Sequence, residues 1–130
     1  MPDSKPGVDV YDYILEKIDT VPHLEAVILI WNSRPVGWTA EELATRLYLP
    51  TEKVIGILND LVRQQLVQQN PTSPTKHSYL PRNAEQDEWM YKVDVAYRRE
   101  LVRISTMLHT KTSASVREFA RAFRIKKDRE

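Results

Sequence analysis

No cysteine occurs among the 130 residues, which excludes disulfides and thiolate zinc sites and suits a reducing compartment. Glycine is nearly absent too. Gly7, Gly37 and Gly56 are the only three, too scattered for a phosphate-cradling loop. The longest apolar run, Ala26 to Trp31, is far short of the roughly 20 residues that cross a bilayer. The amino-terminal Met-Pro-Asp-Ser-Lys-Pro-Gly lacks the apolar stretch of a secretory signal, so a cytoplasmic protein is expected. Net charge is also small, with 19 basic against 18 acidic side chains. It is unevenly spread: residues 1–80 hold 7 Lys/Arg and 10 Asp/Glu, and residues 81–130 hold 12 and 8. The length suits one domain with its own core and is too short for two of ordinary size.

Apolar spacing then organises the chain. Asp9 is placed to cap a first helix, in which Tyr11, Ile14, Leu15 and Ile18 form one buried stripe. Pro22 ends it and opens a second helix to about Asn32, with Leu24, Val27, Ile28 and Trp31 inward. Val36 to Trp38 suits a short edge strand. Thr39 and Glu42 have the spacing of a capping box, and Leu43, Ala44 and Leu47 follow as the apolar side of a third helix. Leu49-Pro50-Thr51 makes a turn into a fourth, whose stripe is Val54, Leu58 and Leu61. Leu66–Gln69 and His77–Leu80 read as strands joined by the polar segment Asn70 to Lys76. After Pro81, Met90, Val93, Tyr97, Leu101, Ile104 and Leu108 recur every three or four residues, predicting one long helix over 83–109. Ser115 and Glu118 form a further capping box, opening a basic helix over 115–126 with Val116, Phe119, Ala120 and Phe123 on one side.

The run Glu-Leu-Ala-x-x-Leu-x-Leu, then Val54, Leu58 and Leu61, then Leu66-Val67 before a hairpin, resembles the winged helix-turn-helix domains of bacterial transcriptional regulators. A long helix after the wing is similar to the arm of the MarR-like and PadR-like groups. The resemblance implies a mainly α fold: a head over 8–81, with its helix-turn-helix at 39–63 and wing at 66–80. A small sheet of two or three strands, a long post-wing helix and a short carboxy-terminal helix complete it. Tyr48 stands in the turn where such domains often have glycine, and Gln65 where a glycine usually ends the second helix.

The resemblance implies duplex DNA as partner, read by the fourth helix. At about 100° per residue, the face opposite the apolar stripe holds Glu52, Gly56, Asn59 and Arg63, with Lys53, Ile55 and Asp60 on its flanks. Candidate nucleic-acid contacts are Arg46, Thr51, Lys53, Asn59, Arg63 and Lys76. Glu52 opposes phosphates, however, and no arginine lies in the first two turns. The alternative is a protein-docking surface on Glu52, Ile55 and Gly56, which makes the chain an adaptor without DNA binding.

Arg117, Arg121 and Arg124 form a basic stripe, with Lys126-Lys127 beyond it. Three readings stay open for the stripe: solvated arginines beside a packed Phe119/Phe123 face, phosphate contact, or docking to an acidic protein or membrane surface. Met90, Val93, Tyr97, Leu101, Ile104 and Leu108 are the candidate dimerisation residues, because their seam is longer than one small head covers. His23, His77 and His109 lie on separate elements without ligand spacing, so no metal, no cofactor and no enzymatic activity are expected. Trp31, Trp38 and Trp89 read as core or interface, or as the lining of a pocket between head and long helix. The expectation is a dimeric winged-helix DNA-binding transcriptional regulator.

Overall fold

The computed structural model describes residues 9–113. Within them run α1 (Val10–Lys17), α2 (Val21–Asn32), α3 (Ala40–Leu47), α4 (Thr51–Arg63), β1 (Val67–Asn70), β2 (Lys76–Tyr79) and α5 (Ala84–Arg99). A further helix, α6, occupies 101–113. The expected basic helix over 115–126 lies outside the described residues.

Helix boundaries follow local hydrogen bonding. Asp9 caps α1 in a capping box with Asp12. Thr20, which the sequence pattern does not single out, caps α2 by accepting from the His23 amide. Thr39 and Glu42 form the expected box on α3: the Thr39 amide donates to Glu42 at 2.9 Å, and the Glu42 amide donates to the Thr39 hydroxyl at 3.0 Å. The bond from the Thr39 amide holds the Glu42 carboxyl below its usual range.

The two positions where glycine was expected share one conformation. Tyr48 has φ 58° and Gln65 has φ 62°, the left-handed region that favours glycine. Each follows a helix end. The Leu49 amide bonds the Ala44 carbonyl, and the Leu66 amide bonds the Leu61 carbonyl, both at 3.1 Å. These wrapped ends need a left-handed residue between the helix and the segment that leaves it. The chain meets that need without glycine, by leaving Tyr48 and Gln65 exposed.

α4 packs on α2, α3 and β1. Its inward side chains Val54, Ile57, Leu58 and Leu61 join Leu24, Val27, Ile30, Leu43 and Leu66 in one core. β1 and β2 pair antiparallel with Val67 opposite Tyr79 and Asn70 opposite Lys76, making the wing. Trp38 adds a single antiparallel bridge to His77, bonded in both directions at 2.8 and 2.7 Å, so the expected edge strand is reduced to one residue.

The post-wing segment departs from a single straight helix. Glu100 leaves helical geometry at φ −130°, ψ 37°; its amide closes α5 on Ala96, and its carbonyl accepts the first bond of α6 from Ile104. α6 then lies against α1. The Lys111 ammonium donates to the Leu15 and Ile18 carbonyls at the end of α1, and the Arg103 guanidinium sits 4.0 Å from the Tyr11 ring centre. The dimerisation seam is corrected accordingly. Met90, Val93, Ile104 and Leu108 are at most 1% exposed within the chain's own core, Tyr97 is half-buried, and only Leu101 is exposed. One head does cover this seam, because the bend folds its second half back onto α1.

Gln65→Gly and Tyr48→Gly are each expected to raise stability by about 1 kcal/mol, since they relieve left-handed strain and remove no packed side chain. Tyr48→Val lowers it, because a β-branched residue tolerates this region least. Thermal or urea unfolding of the three variants checks both directions.

Candidate nucleic-acid interface

Burial of one side of α4 presents the other. Glu52, Lys53, Ile55, Gly56, Asn59 and Arg63 are all exposed, and Thr51 is half-buried at the first turn. Pro50 precedes α4 and supplies no side-chain cap. A Cβ added at Gly56 meets nothing within 4 Å, so the fold itself does not require a glycine there. Ile55 is 46% exposed and Tyr48, in the turn, 93%.

The basic candidates are unequal. Lys53 is exposed on α4. Arg46 stands at the end of α3 with its guanidinium 5.8 Å from the Trp38 ring centre. Lys76 begins β2 half-buried, its stem close enough to Gly37 that a Cβ there meets the Lys76 Cβ at 3.1 Å. Arg63 is bonded to Asp60 on its own helix and is thereby partly neutralised. Residues 39–80 carry Arg46, Lys53, Arg63 and Lys76 against Glu41, Glu42, Glu52 and Asp60, a net charge of zero. Arg117, Arg121 and Arg124 lie outside the described residues.

Two contacts that fix the head escape sequence reasoning. His23 Nε2 meets Asp60 Oδ2 at 2.8 Å and pins the start of α2 to the end of α4. That bond, with the charges of His23 and Arg63 beside it, holds the Asp60 carboxyl below its ordinary range despite partial burial. Across the domain, Asp94 on α5 accepts from Asn32 at 3.3 Å and from Arg98 at 3.1 Å, tying α5 to α2. These partners are 37 and 62 residues apart in sequence, and no spacing rule connects them.

The wing is held by buried groups. His77 is 8% exposed, and its Nδ1 has no hydrogen-bond partner among the described residues. Burial pushes its imidazole below the ordinary value, opposed by the backbone bond to Trp38. Tyr79 donates to Asp87 at 2.6 Å and packs edge-on against Trp31 at 4.9 Å between ring centres. Trp31 is 7% exposed and Trp38 half-buried, so both belong to the head's packing. Trp89 stacks on Tyr13 at 4.9 Å, and both line an open groove between α1 and α5 with Asp12, Glu16 and Arg82. Burial is the main cause raising the Tyr13 hydroxyl to about 12.

Neither a protein-family model nor a curated protein sequence matches the chain. Solved structures do. A transcriptional regulator from Thermotoga maritima is 13% identical, over 92% of this chain and 84% of that one, at a TM-score of 0.53. A MarR family transcriptional regulator from Streptomyces coelicolor is 17% identical, over 91% and 82%, at 0.52. MepR of S. aureus, in a complex with DNA, is 13% identical, over 93% and 90%, at 0.50. At these identities the likeness defines the fold, a winged helix-turn-helix. Its arrangement of helices is similar to that of the MarR family regulator from Streptomyces coelicolor.

His77 gives the head an acid-sensitive anchor. Its depressed folded pKa means that the unfolded chain takes up the proton first, so stability is full above the ordinary histidine value of 6.5 and falls as pH drops below it. His77→Phe is expected to flatten the fall in melting temperature between about pH 7 and pH 5.5, leaving the carboxylate-dependent loss at lower pH. Melting curves at stepped pH compare the two chains; equal slopes count against a buried neutral His77.

Proposed function

We propose that the chain is a winged-helix transcriptional regulator that binds duplex DNA through α4 and the wing, acting as a dimer in the cytoplasm. The observation that carries this reading is the fully presented outer face of α4 beside a two-stranded wing, in a frame similar to one solved on DNA. Thr51 and Asn59 supply hydrogen-bonding groups for phosphate and base edges, and Arg46, Lys53 and Lys76 supply charge. Among the described residues no helix is long and apolar enough to cross a membrane. Tyr91, Leu101 and Val102, exposed on α5 and α6, are the apolar side chains offered for contact with a second copy.

A second reading is favoured by the zero net charge of residues 39–80 and the exposure of Ile55. In it the same face of α4, around Glu52, Ile55 and Gly56, docks a protein.

Arg46, Lys53 and Lys76, three basic groups per head without an ion pair among the described residues, predict for two heads that log K falls with log salt at a slope of about −5. Fluorescence anisotropy on a mixed-sequence duplex measures it. Arg46→Ala or Lys76→Ala should each make the slope shallower by about 2 per dimer, while Ile55→Glu weakens binding through the added charge. A flat salt response, with Ile55→Glu abolishing capture of a protein partner, favours the docking reading instead.

A further inference from the structure

Asp19, His23 and Asp60 come from three different elements: the α1–α2 turn, the first turn of α2 and the last turns of α4. Their ligand atoms all lie within 4.8 Å of one another. The imidazole is oriented at both nitrogens, by the Thr20 hydroxyl at Nδ1 (2.6 Å) and by Asp60 Oδ2 at Nε2 (2.8 Å). One imidazole nitrogen and two carboxylates thus converge beside an open groove, the donor number of a three-ligand metal site. The geometry points to a divalent transition-metal site at this junction, with His23 Nε2, Asp60 and Asp19 as protein ligands. This inference does not rest on DNA binding.

The donor set decides the class of ion. One imidazole and two carboxylates suit Zn2+, Co2+ or Mn2+, whereas Mg2+ and Ca2+ favour all-oxygen sites. The Thr20 hydroxyl is the outer partner that fixes the ring, as such partners do around metal-bound histidines. An open groove lined by Thr20, His23, Asp60, His109 and Thr112 reaches the cluster and admits water to the remaining coordination positions. Imidazole and carboxylate ligands bind metal only without their protons, so binding strengthens with rising pH.

The facing charges shape this competition. Arg63 is bonded to Asp60 and Lys111 lies 3.3 Å from Asp19, while Lys53 and His109 line the same groove. Both of the paired cations can yield. The Arg63 side chain is 69% exposed and free to turn into solvent, and Lys111 keeps its bonds to the Leu15 and Ile18 carbonyls without Asp19. Asp19 itself is 54% exposed and adjustable. Removing the Arg63 charge should therefore tighten metal binding, an effect opposite to that of removing a ligand. A bound ion joins the start of α2 to the end of α4, on the flank of the presented helix face.

The test is calorimetric titration of the chelator-treated full chain with Zn2+, with Co2+ absorption as a second readout. One ion per chain is expected, and Mg2+ should give no binding at the same concentrations. Asp19→Asn, in an exposed turn, should weaken Zn2+ by about tenfold or more, and His23→Gln should abolish the Co2+ spectrum. Arg63→Ala should tighten Zn2+, and lowering pH from about 7.5 to about 6 should weaken it. Circular dichroism confirms that each variant is folded; if His23→Gln is not, Asp19→Asn and Arg63→Ala carry the test. No one-to-one binding below millimolar Zn2+ overturns the inference. So does equal binding of Mg2+, or affinity unchanged in both Asp19→Asn and Arg63→Ala.

Discussion

Burial of Val54, Ile57, Leu58 and Leu61 sets the rotation of α4 about its axis, and the rest of the head is arranged around it. All four are at most 3% exposed, and each such side chain contributes on the order of 1.5–3 kcal/mol on leaving water. A rotation of one residue, about 100°, would put Ile55 and Asn59 into the core and Val54 and Ile57 into solvent. The buried quartet thus dictates that Glu52, Gly56 and Asn59 face outward. His23 adds a polar lock to the same rotation by holding Asp60 from the start of α2. The wrapped helix ends at Tyr48 and Gln65 then deliver the chain to α4 and to β1 at fixed angles.

The bend at Glu100 does for α5 and α6 what the apolar quartet does for α4. A straight continuation would carry Ile104 and Leu108 away from the head, whereas both are 0% exposed against it. Lys111 satisfies the last carbonyls of α1, so α6 closes the end of that helix as well as covering its side. Among the described residues of α5 and α6, the large apolar side chains left exposed are Tyr91, Leu101 and Val102. The lower end of α6 reaches the groove beside Lys53 and Gly56, which places arm and presented helix in one unit.

Local signals in the sequence were enough for most of the head. The Thr39–Glu42 box, the Asp9 cap, the α4 stripe and the hairpin each depend on residues a few positions apart, and each is present. Tyr48 and Gln65 were legible as unusual positions, and their left-handed geometry explains why glycine is the common occupant. The bend was not legible, because 90–108 contains neither glycine nor proline and its apolar period runs through Glu100 unbroken. Nor was the Asp19–His23–Asp60 cluster. Asp19 stands only four residues before His23, but Asp60 meets them because α2 crosses α4, and a single Asp–His spacing without the third residue offers no pattern to read. The candidate interface was legible as a list of residues, but not its inequality: only the folded chain shows Arg63 tied to Asp60 and Lys76 half-buried.

The central claim is that the outer face of α4 and the wing form the surface that meets duplex DNA. Mapping backbone amide resonances during titration with a mixed-sequence duplex at low salt tests it most directly. The account predicts that the largest shifts fall on residues 51–59 and on the wing around 70–76, with α5 little changed. Shifts confined to α5 and α6, or none at all while the protein stays folded, would contradict it.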